Sequence, residues 1–408
     1  MGGGLTKTSI EWTERVWNPF AGCSVLSPGC TNCYAMKMAR RIEACNAGLR
    51  QGHGGSPHYA GTTKIVNGNA VWTGKIGIAS DEVLLAPLRR KRPTTYFVNS
   101  MSDLFHESVP DEWIDKVFAV MALTPQHTYQ VLTKRSARMR NYVIHLYETD
   151  EGIERLSDAA VAVSGAPCAA HIEDVTPPLP NVWLGVSTER QKEADERIPD
   201  LLATPAAMRF ISAEPLLGPI ELTRIGTMHS IRAAMPEVIE REERGKPKTG
   251  NGSICGAQID AVGSSGSSIT FFQTPDHMGG FTAASPRQWP RLDCVIVGGE
   301  SGPGARPMHP DWARSIRDQC AAAGVPFFFK QWGAWAPVPH RDDLPGRPQM
   351  VRAGDCFILP DGTSDILDAE LSSSLEGSSA VPLRNVGKKA AGRLLDGVTH
   401  DAMPKVAR

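Results

Sequence analysis

The chain has 408 residues, with 43 Lys and Arg against 44 Asp and Glu, and a net charge of −1. This balance gives no overall electrostatic reason to expect a nucleic-acid-binding protein, so such binding would need a local basic groove. The N-terminus has no apolar signal region, and no apolar stretch is long enough to span a membrane. The composition therefore predicts a cytoplasmic globular protein without membrane contact.

Strands and helices alternate along most of the chain. VWNPFAG is predicted to form a short first strand that ends at Cys23, and YAMKMARRIEAC is predicted to follow as a helix. Further strands are predicted at 94–100, 128–134, 181–187, 208–214, 293–299 and 325–331. Helices are predicted at 111–124, 136–148, 188–204 and 309–324, the last ending at Gly324. This alternation favours a partial or complete parallel β/α barrel, TIM-like in type.

Two long stretches interrupt this pattern. The barrel is predicted to occupy residues 1–335, with insertions at 149–180 and 223–290, and residues 336–408 form a C-terminal appendage. The second insertion is far longer than an ordinary loop. We expect it to be a lid, a substrate-recognition insert or a partly disordered segment.

Three cysteines lie close together in the loop after the first strand. Cys23, Cys30 and Cys33 follow the spacing C-x6-C-x2-C. Soft thiolates select zinc or iron–sulfur clusters, and both usually require four protein ligands. Because three ligands leave one coordination position open, the first interpretation is a [4Fe–4S] cluster with one iron free for a small molecule. The alternatives are zinc with a distant fourth ligand, free thiols packed as apolar residues, or a disulfide framework.

Polar residues follow the predicted strands at their carboxyl ends, where β/α barrels carry their active sites. The candidates are Ser100, Ser102, Asp103, Lys134, Glu189, Glu214, Gly298, Gly299 and Glu300. Lys134 and the following Arg135 are suited to bind a carboxylate or a phosphate. The two glycines before Glu300 would let a nucleotide or amino-acid ligand approach the backbone. Alternatively, these residues cap helices or form simple turns.

Several motifs together resemble the phage Gp37/Gp68 family, also called the DUF5131 or three-Cys-motif family. They include SIEWTERVWNPFAGCSVLSPGCTNCYA, FVNSMSDLFHESV, NVWLGVSTERQ, RFISAEPLLGPI, VIVGGESGPGARPMHPDW and FFFKQWGAW. That family resembles a distant branch of the radical S-adenosylmethionine (SAM) enzymes. The resemblance implies a β/α barrel of the radical SAM type that carries a [4Fe–4S] cluster and cleaves SAM to start radical chemistry.

The resemblance also implies roles for the candidate residues. Cys23, Cys30 and Cys33 would bind three irons, and SAM would bind the fourth. By position, the methionine amino group would face Ser100, Ser102 and Asp103. The ribose or carboxylate would face Glu189 and Glu214, and the nucleoside would lie against Gly298, Gly299 and Glu300. Two features depart from the usual radical SAM pattern: the first cysteine spacing is six instead of three, and SMSD replaces Gly-Gly-Glu after the second strand.

The sequence does not name the substrate, for which a nucleic-acid base is one hypothesis. The alternative function is a non-catalytic module, stabilised by zinc or a cluster, that binds nucleic acid or a partner protein. A zinc hydrolase is disfavoured, because catalytic zinc usually has His or carboxylate ligands.

Overall fold

The computed structural model describes residues 6–47, 55–165, 177–237, 254–263, 267–273, 287–338, 354–366 and 379–405. These residues form two compact units. Unit 1 contains the described residues up to 186 together with 200–210, and unit 2 contains 187–199 and the described residues from 211 to 405.

Unit 1 holds most of the parallel strands. Its strands are β1 (Thr6–Lys7), β2 (Arg15–Trp17), β3 (Phe20–Ala21), β4 (Thr63–Val66), β5 (Asn69–Trp72), β6 (Gly77–Ile78), β7 (Thr95–Val98), β8 (Thr128–Thr133), β9 (Val182–Ser187) and the first half of β10 (Met208–Ala213). Its helices are α1 (Tyr34–Ala47), α2 (Asp81–Leu84), α3 (Asp111–Ala122), α4 (Ser136–Glu148), α5 (Asp150–Ser164) and the end of α6 (Gln191–Ala203).

The strand order in unit 1 is β1-β2-β7-β8-β9-β10. Strand β1 pairs antiparallel with β2, whereas β2, β7, β8 and β9 pair in parallel. Val98 lies opposite Val131, which in turn lies opposite Leu184. Aliphatic and aromatic residues dominate these strands because both faces of a parallel sheet are covered. Consecutive parallel strands therefore end at one edge, where their following loops meet.

Aromatic side chains fill the interior of unit 1. The rings of Tyr96 and Tyr129 stack with centroids 5.4 Å apart, and Trp17 packs against Tyr129 at 5.5 Å. All three side chains are almost completely buried. Gly185 is required inside β9 because a Cβ there would lie 2.5 Å from the Phe210 ring. This packing fixes the strands that carry the predicted site residues.

Unit 2 contains the rest of β10 and all later elements. Its strands are β11 (Ile254–Asp260), β12 (Ser267–Gln273), β13 (Arg287–Trp289), β14 (Cys294–Gly298), β15 (Phe327–Gln331), β16 (Trp335–Pro337), β17 (Cys356–Ile358), β18 (Ser364–Ile366) and β19 (Val381–Asn385). Its helices are the start of α6, α7 (Met228–Ala234), α8 (Pro310–Ala323) and α9 (Lys388–Ala391).

Three sheets organise unit 2. Strands β10, β14 and β15 are neighbours in that order, and β14 pairs in parallel with β15, with Ile296 opposite Phe328. Strands β11, β12 and β13 form an antiparallel sheet within the predicted insertion 223–290. Strands β16, β19, β17 and β18 form an antiparallel sheet within the predicted appendage 336–408. Most of the charged segment that begins the longer insertion lies outside the described residues.

The predicted alternation of strands and helices is confirmed. Each predicted strand and helix is present within a few residues of its expected bounds, except that the first strand is divided into β2 and β3. Gly324 adopts a left-handed conformation and ends α8, as predicted. The fold is mixed α/β, and the described residues contain seven parallel strands, which is compatible with a partial β/α barrel. Of the described helices, none has the length and apolar character of a membrane span.

Candidate metal centre

The cysteine loop leaves β3 through a glycine in a left-handed conformation. Gly22 has a φ of +96°, and a Cβ there would lie 2.1 Å from the carbonyl oxygen of Lys75. Its backbone N–H donates to the carbonyl of Met101 at 3.2 Å, and it forms a parallel bridge with Ser102. Cys23 is therefore placed beside the segment that follows β7.

Residues that follow β7 also form hydrogen bonds with the segment that leads into the cysteine loop. The Asn18 Oδ1 atom accepts hydrogen bonds from the Ser100 hydroxyl at 3.1 Å and from the Met101 N–H at 3.2 Å. The Ser102 hydroxyl donates to the carbonyl of Phe20 at 3.2 Å. Both predicted site serines thus bind the segment that leads into the cysteine loop.

The other two cysteines lie in a tight turn before α1. Residues Pro28–Cys30 form a 3-10 helix, in which the Cys30 N–H donates to the Ser27 carbonyl at 2.9 Å. The Cys33 N–H donates in turn to the Cys30 carbonyl at 3.3 Å. Cys23 and Cys33 pack against one apolar cluster, formed by Ala21, Ala35, Met36, Ala39, Tyr59, Trp72 and Met101. The turn and this common support keep the cysteines in one neighbourhood.

The surroundings of Cys23 and Cys33 favour the neutral thiol. Burial raises the pKa of Cys23 to about 12, with the Asp103 carboxylate adding to the rise and the Arg135 guanidinium opposing it. Burial also raises the pKa of Cys33. Charge on Cys30 raises the pKa of both, which means that Cys30 lies within electrostatic range of each. A bound metal would have to displace these protons, because only thiolates are good ligands.

Cys30 differs from the other two because a lysine faces it. Burial acts to raise the pKa of Cys30, but the Lys134 ammonium and the backbone hydrogen bonds in the turn outweigh it, and the pKa is lowered. The Lys134 Nζ atom lies 3.3 Å from the Ser27 hydroxyl, which itself lies 3.8 Å from the Cys30 sulfur. Lys134, predicted as an anion-binding residue, therefore stabilises a thiolate of the loop.

Arg135 connects the cysteine loop to the strand ends. Its Nη1 atom lies 3.1 Å from the Asp103 carboxylate and 3.7 Å from the Cys23 sulfur, and its Nη2 atom donates to the Ser24 hydroxyl at 2.6 Å. Its Nε atom lies 3.0 Å from both carboxylate oxygens of Glu107. The arginine side chain is buried. The predicted affinity for carboxylates is thus satisfied by two carboxylates of the protein itself.

The Asp103 carboxylate is saturated with hydrogen bonds. Its Oδ1 atom accepts from the Phe105 N–H at 3.0 Å and from the Thr133 hydroxyl at 2.7 Å. Its Oδ2 atom accepts from the Lys134 N–H at 3.0 Å and from Arg135. Charge-assisted bonds of this kind are the strong ones in proteins. Asp103 therefore joins the loop after β7 to the end of β8 and fixes Arg135.

His106 also binds the cysteine loop, through the Ser24 hydroxyl. The ring Nδ1 atom accepts from the Ser108 N–H at 3.1 Å, and Nε2 lies 3.0 Å from the Ser24 hydroxyl. Burial lowers the pKa of His106, and Arg135 contributes to the lowering. The neutral ring therefore carries its proton on Nε2 and donates it to Ser24. Ser24 is thus held by both a histidine and an arginine.

In unit 2, Glu189 forms an interior ion pair. Its side chain is fully buried, and one carboxylate oxygen lies 2.9 Å from Nη1 of Arg197. The same Nη1 atom donates to the carbonyl of Ser187 at 2.7 Å. The pair joins the end of β9 to α6. Sequence reasoning did not anticipate this partner, because Arg197 lies on the helix that follows.

Glu214 and Lys330 meet at the ends of β10 and β15. Their side chains form an ion pair with an N–O distance of 3.0 Å, and the Ser212 hydroxyl donates to Glu214 at 2.9 Å. At the end of β14, Gly298 leaves room for the Glu214 carboxylate, because a Cβ at this position would lie 2.7 Å from it. The structure therefore brings two predicted residues, Glu214 and Gly298, into direct proximity.

Gly299 and Glu300 form a separate turn in unit 2. A Cβ at Gly299 would lie 1.9 Å from the Trp332 carbonyl oxygen, so the glycine is required by backbone packing. The Glu300 carboxylate accepts from the backbone N–H of Arg306 at 2.8 Å and from its guanidinium at 2.5 and 2.9 Å. Glu300 thus closes the turn that follows β14.

The loop side chains have the chemistry of a metal site but are not arranged around a common point. Among the described residues, no three His, Cys, Asp or Glu side chains form a group that could hold a metal ion as they stand. The three thiols nevertheless belong to one loop, share electrostatic contact through Cys30, and face two cations, Lys134 and Arg135. This donor set fits a thiolate-bound cluster, whose negative charge nearby cations would balance.

The comparisons with known proteins identify the family of the chain but no individual relative. A family model described as a protein of unknown function, DUF5131, matches residues 7–404. The chain belongs to the DUF5131 family. The matched range includes the cysteine loop and the antiparallel sheet of β16, β19, β17 and β18. No curated protein and no solved structure was found to match the chain.

Proposed function

We propose that this DUF5131 protein is an iron–sulfur enzyme of the radical SAM type, as its resemblance to the phage Gp37/Gp68 family implies. The observation that carries the proposal is the cysteine loop of unit 1. Three thiols lie in one short loop at the carboxyl ends of parallel strands, with cations against two of them. Three thiolates leave one coordination position of a [4Fe–4S] cluster open for SAM.

Cys23, Cys30 and Cys33 would hold the cluster. When bound and reduced, such a cluster would supply the electron for reductive cleavage of SAM, the chemistry with which radical SAM enzymes start hydrogen-atom abstraction from a substrate. The protein's part would be to hold the three cysteines in place and, at Cys23 and Cys30, to oppose with positive charge the rise in pKa that burial causes. Lys134 acts on Cys30, and Arg135 acts on Cys23.

The residues around the loop differ in how freely they can contact a ligand. Asp103 already accepts four hydrogen bonds from the protein, so in this proposal it supports the loop through Arg135. Ser100 and Ser102 keep lone pairs available, and their predicted contact with the methionine amino group stays a prediction. In unit 2, the carboxylates of Glu189 and Glu300 are buried and each pairs with an arginine, which favours structural roles.

The Glu214–Lys330 pair is better suited than Glu189 to bind a polar ligand. Each side chain keeps some solvent exposure, and the bare Gly298 backbone lies beside the carboxylate. The predicted contacts of Glu214, Gly298 and Gly299 with a nucleoside or carboxylate therefore remain part of the proposal. The substrate is not identified, and a nucleic-acid base remains the hypothesis.

Anaerobic reconstitution with iron and sulfide tests the proposal. We expect the visible absorbance of an iron–sulfur cluster and, after addition of SAM and dithionite, formation of 5′-deoxyadenosine measured by chromatography. A C30S variant should give neither signal. One tightly bound zinc ion and no 5′-deoxyadenosine would overturn the proposal in favour of a zinc-stabilised module that binds nucleic acid or a partner protein.

A further inference from the structure

Arg135 is the starting point for an inference about the control of the cysteine loop. It is the N-cap residue of α4, two residues after the end of β8, and its guanidinium is buried. It contacts the loop at two consecutive residues, Cys23 and Ser24, and the strand ends at Asp103. These contacts use both terminal nitrogens of the guanidinium, which is planar and holds its donors in a fixed geometry.

The contact with Cys23 has a particular chemical meaning. The Nη1–sulfur distance of 3.7 Å is within range of a hydrogen bond to sulfur. The donor carries a permanent positive charge, and the Asp103 carboxylate, 3.1 Å from the same Nη1 atom, fixes its position. Hydrogen bonds and positive charge at a cysteine sulfur stabilise the more negative, reduced state of an iron–sulfur cluster.

We propose that Arg135 is a positioning residue of the metal centre, which anchors the Cys23–Ser24 segment and raises the reduction potential of the cluster through its N–H contact with the Cys23 sulfur. The inference rests on the proposed function, since it requires a cluster on the cysteine loop. It adds a residue outside the cysteine motif to the control of electron transfer. It also gives a role to Asp103, which orients the arginine instead of contacting the ligand.

The effect of Arg135 on the cysteine loop can be distinguished from a general effect on the stability of α4, because a nearby arginine makes different contacts. Arg138 lies three residues later, in the first turn of α4, and binds Asp111 at 2.8 Å and the Val109 carbonyl at 2.5 Å. It also contacts the carbonyl of His106. These contacts with the described residues do not include Cys23 or Ser24. An R138Q substitution is therefore a matched control that removes a structural arginine but leaves the cysteine loop contacts intact.

The test compares the wild-type protein with R135K, R135Q and R138Q after anaerobic reconstitution, by iron and sulfide content and by potentiometric titration. We expect R135Q to shift the midpoint potential to a more negative value. R135K keeps the positive charge but not the planar guanidinium donors, and it should shift the midpoint potential less. R138Q should not shift the midpoint potential.

The outcomes separate this inference from the proposed function. If the wild-type protein binds iron and sulfide but R135K and R135Q keep the wild-type potential, the inference is overturned and the proposed function stands. Equal shifts in R135Q and R138Q would also overturn it, because the effect would then be structural. If the wild-type protein binds no cluster, both are overturned. If R135Q does not fold, R135K carries the comparison.

Discussion

The Asp103 carboxylate accepts a hydrogen bond from Nη1 of Arg135 at 3.1 Å, and both side chains are buried. Asp103 follows β7, and Arg135 follows β8. Because the same Nη1 atom lies 3.7 Å from the Cys23 sulfur, the pair links the cysteine loop to two parallel strand ends. The integrity of the loop therefore depends on residues outside the cysteine motif.

Removal of the charge on Asp103 should destabilise unit 1. D103N leaves the buried Arg135 guanidinium without its main counter-charge, and breaking a buried ion pair from one side typically lowers the free energy of unfolding by about 3–5 kcal/mol. Asp111, whose side chain is 48% exposed, pairs with Arg138 and provides the control. D111N should change the free energy of unfolding by less than about 1 kcal/mol. Urea denaturation of both variants measures the difference, and equal effects would contradict the assigned role of Asp103.

Substitution of Glu189, which pairs with Arg197 in unit 2, distinguishes a structural role of this residue from a ligand-binding role. E189Q should lower the free energy of unfolding by roughly 3–5 kcal/mol, because the buried Arg197 guanidinium loses the carboxylate charge that lies 2.9 Å from it. E196Q is the control, since Glu196 is more than half exposed and pairs only loosely with Lys192. Thermal unfolding of each variant with and without SAM measures both effects. A variant that keeps wild-type stability but loses SAM binding would show that Glu189 acts on the ligand.

The entry to the cysteine loop depends on Gly22. Gly22 and Gly68 both have positive φ values, +96° and +76°, so alanine is strained at either position. Only Gly22 has a close neighbour in the direction of a Cβ, the Lys75 carbonyl at 2.1 Å, whereas no heavy atom lies within 4 Å of that position at Gly68. G68A should cost about 1 kcal/mol and G22A more than about 2 kcal/mol, measured by denaturant unfolding. Similar costs would mean that the loop entry can relax.

A pH dependence of stability follows from His309, which caps α8. Burial lowers the pKa of His309 below the ordinary value of 6.5. The unfolded chain therefore binds a proton more readily than the folded chain, and stability falls as the pH drops below about 6.5. H309N keeps an acceptor for the Asp311 N–H but does not titrate. Its free energy of unfolding should fall less than that of the wild-type protein between about pH 7.5 and about pH 5. An equal loss in both proteins would contradict this assignment.

The main elements of the fold could be predicted from the sequence because their signals are local. The helix Ser136–Glu148 was predicted at its observed bounds, and Gly324 ends α8 because a left-handed residue favours glycine. The division of the first strand into β2 and β3 was not predicted. It depends on contacts of Asn18 and Phe20 with residues far along the chain.

The arrangement of the candidate site was less predictable, because side-chain pairing over long sequence separations leaves no periodic signal. Lys134 and Arg135 were recognised as anion-binding residues, but Asp103 and Cys23, the partners of Arg135, lie far from it in the sequence and are brought to it only by the fold. Glu189 was predicted at a ligand position because it follows a strand. Its partner Arg197 lies on α6, and the pairing is visible only in three dimensions.

Metal analysis after anaerobic purification tests the central claim most directly. We predict about four iron and about four sulfide ions per chain in the wild-type protein, and loss of both in C23S, C30S and C33S. C45S is the matched control, because Cys45 is an exposed cysteine on α1 outside the loop, and it should retain the wild-type content. Zinc in place of iron, or iron retained when all three loop cysteines are replaced together, would contradict the assignment of the cysteine loop as an iron–sulfur centre.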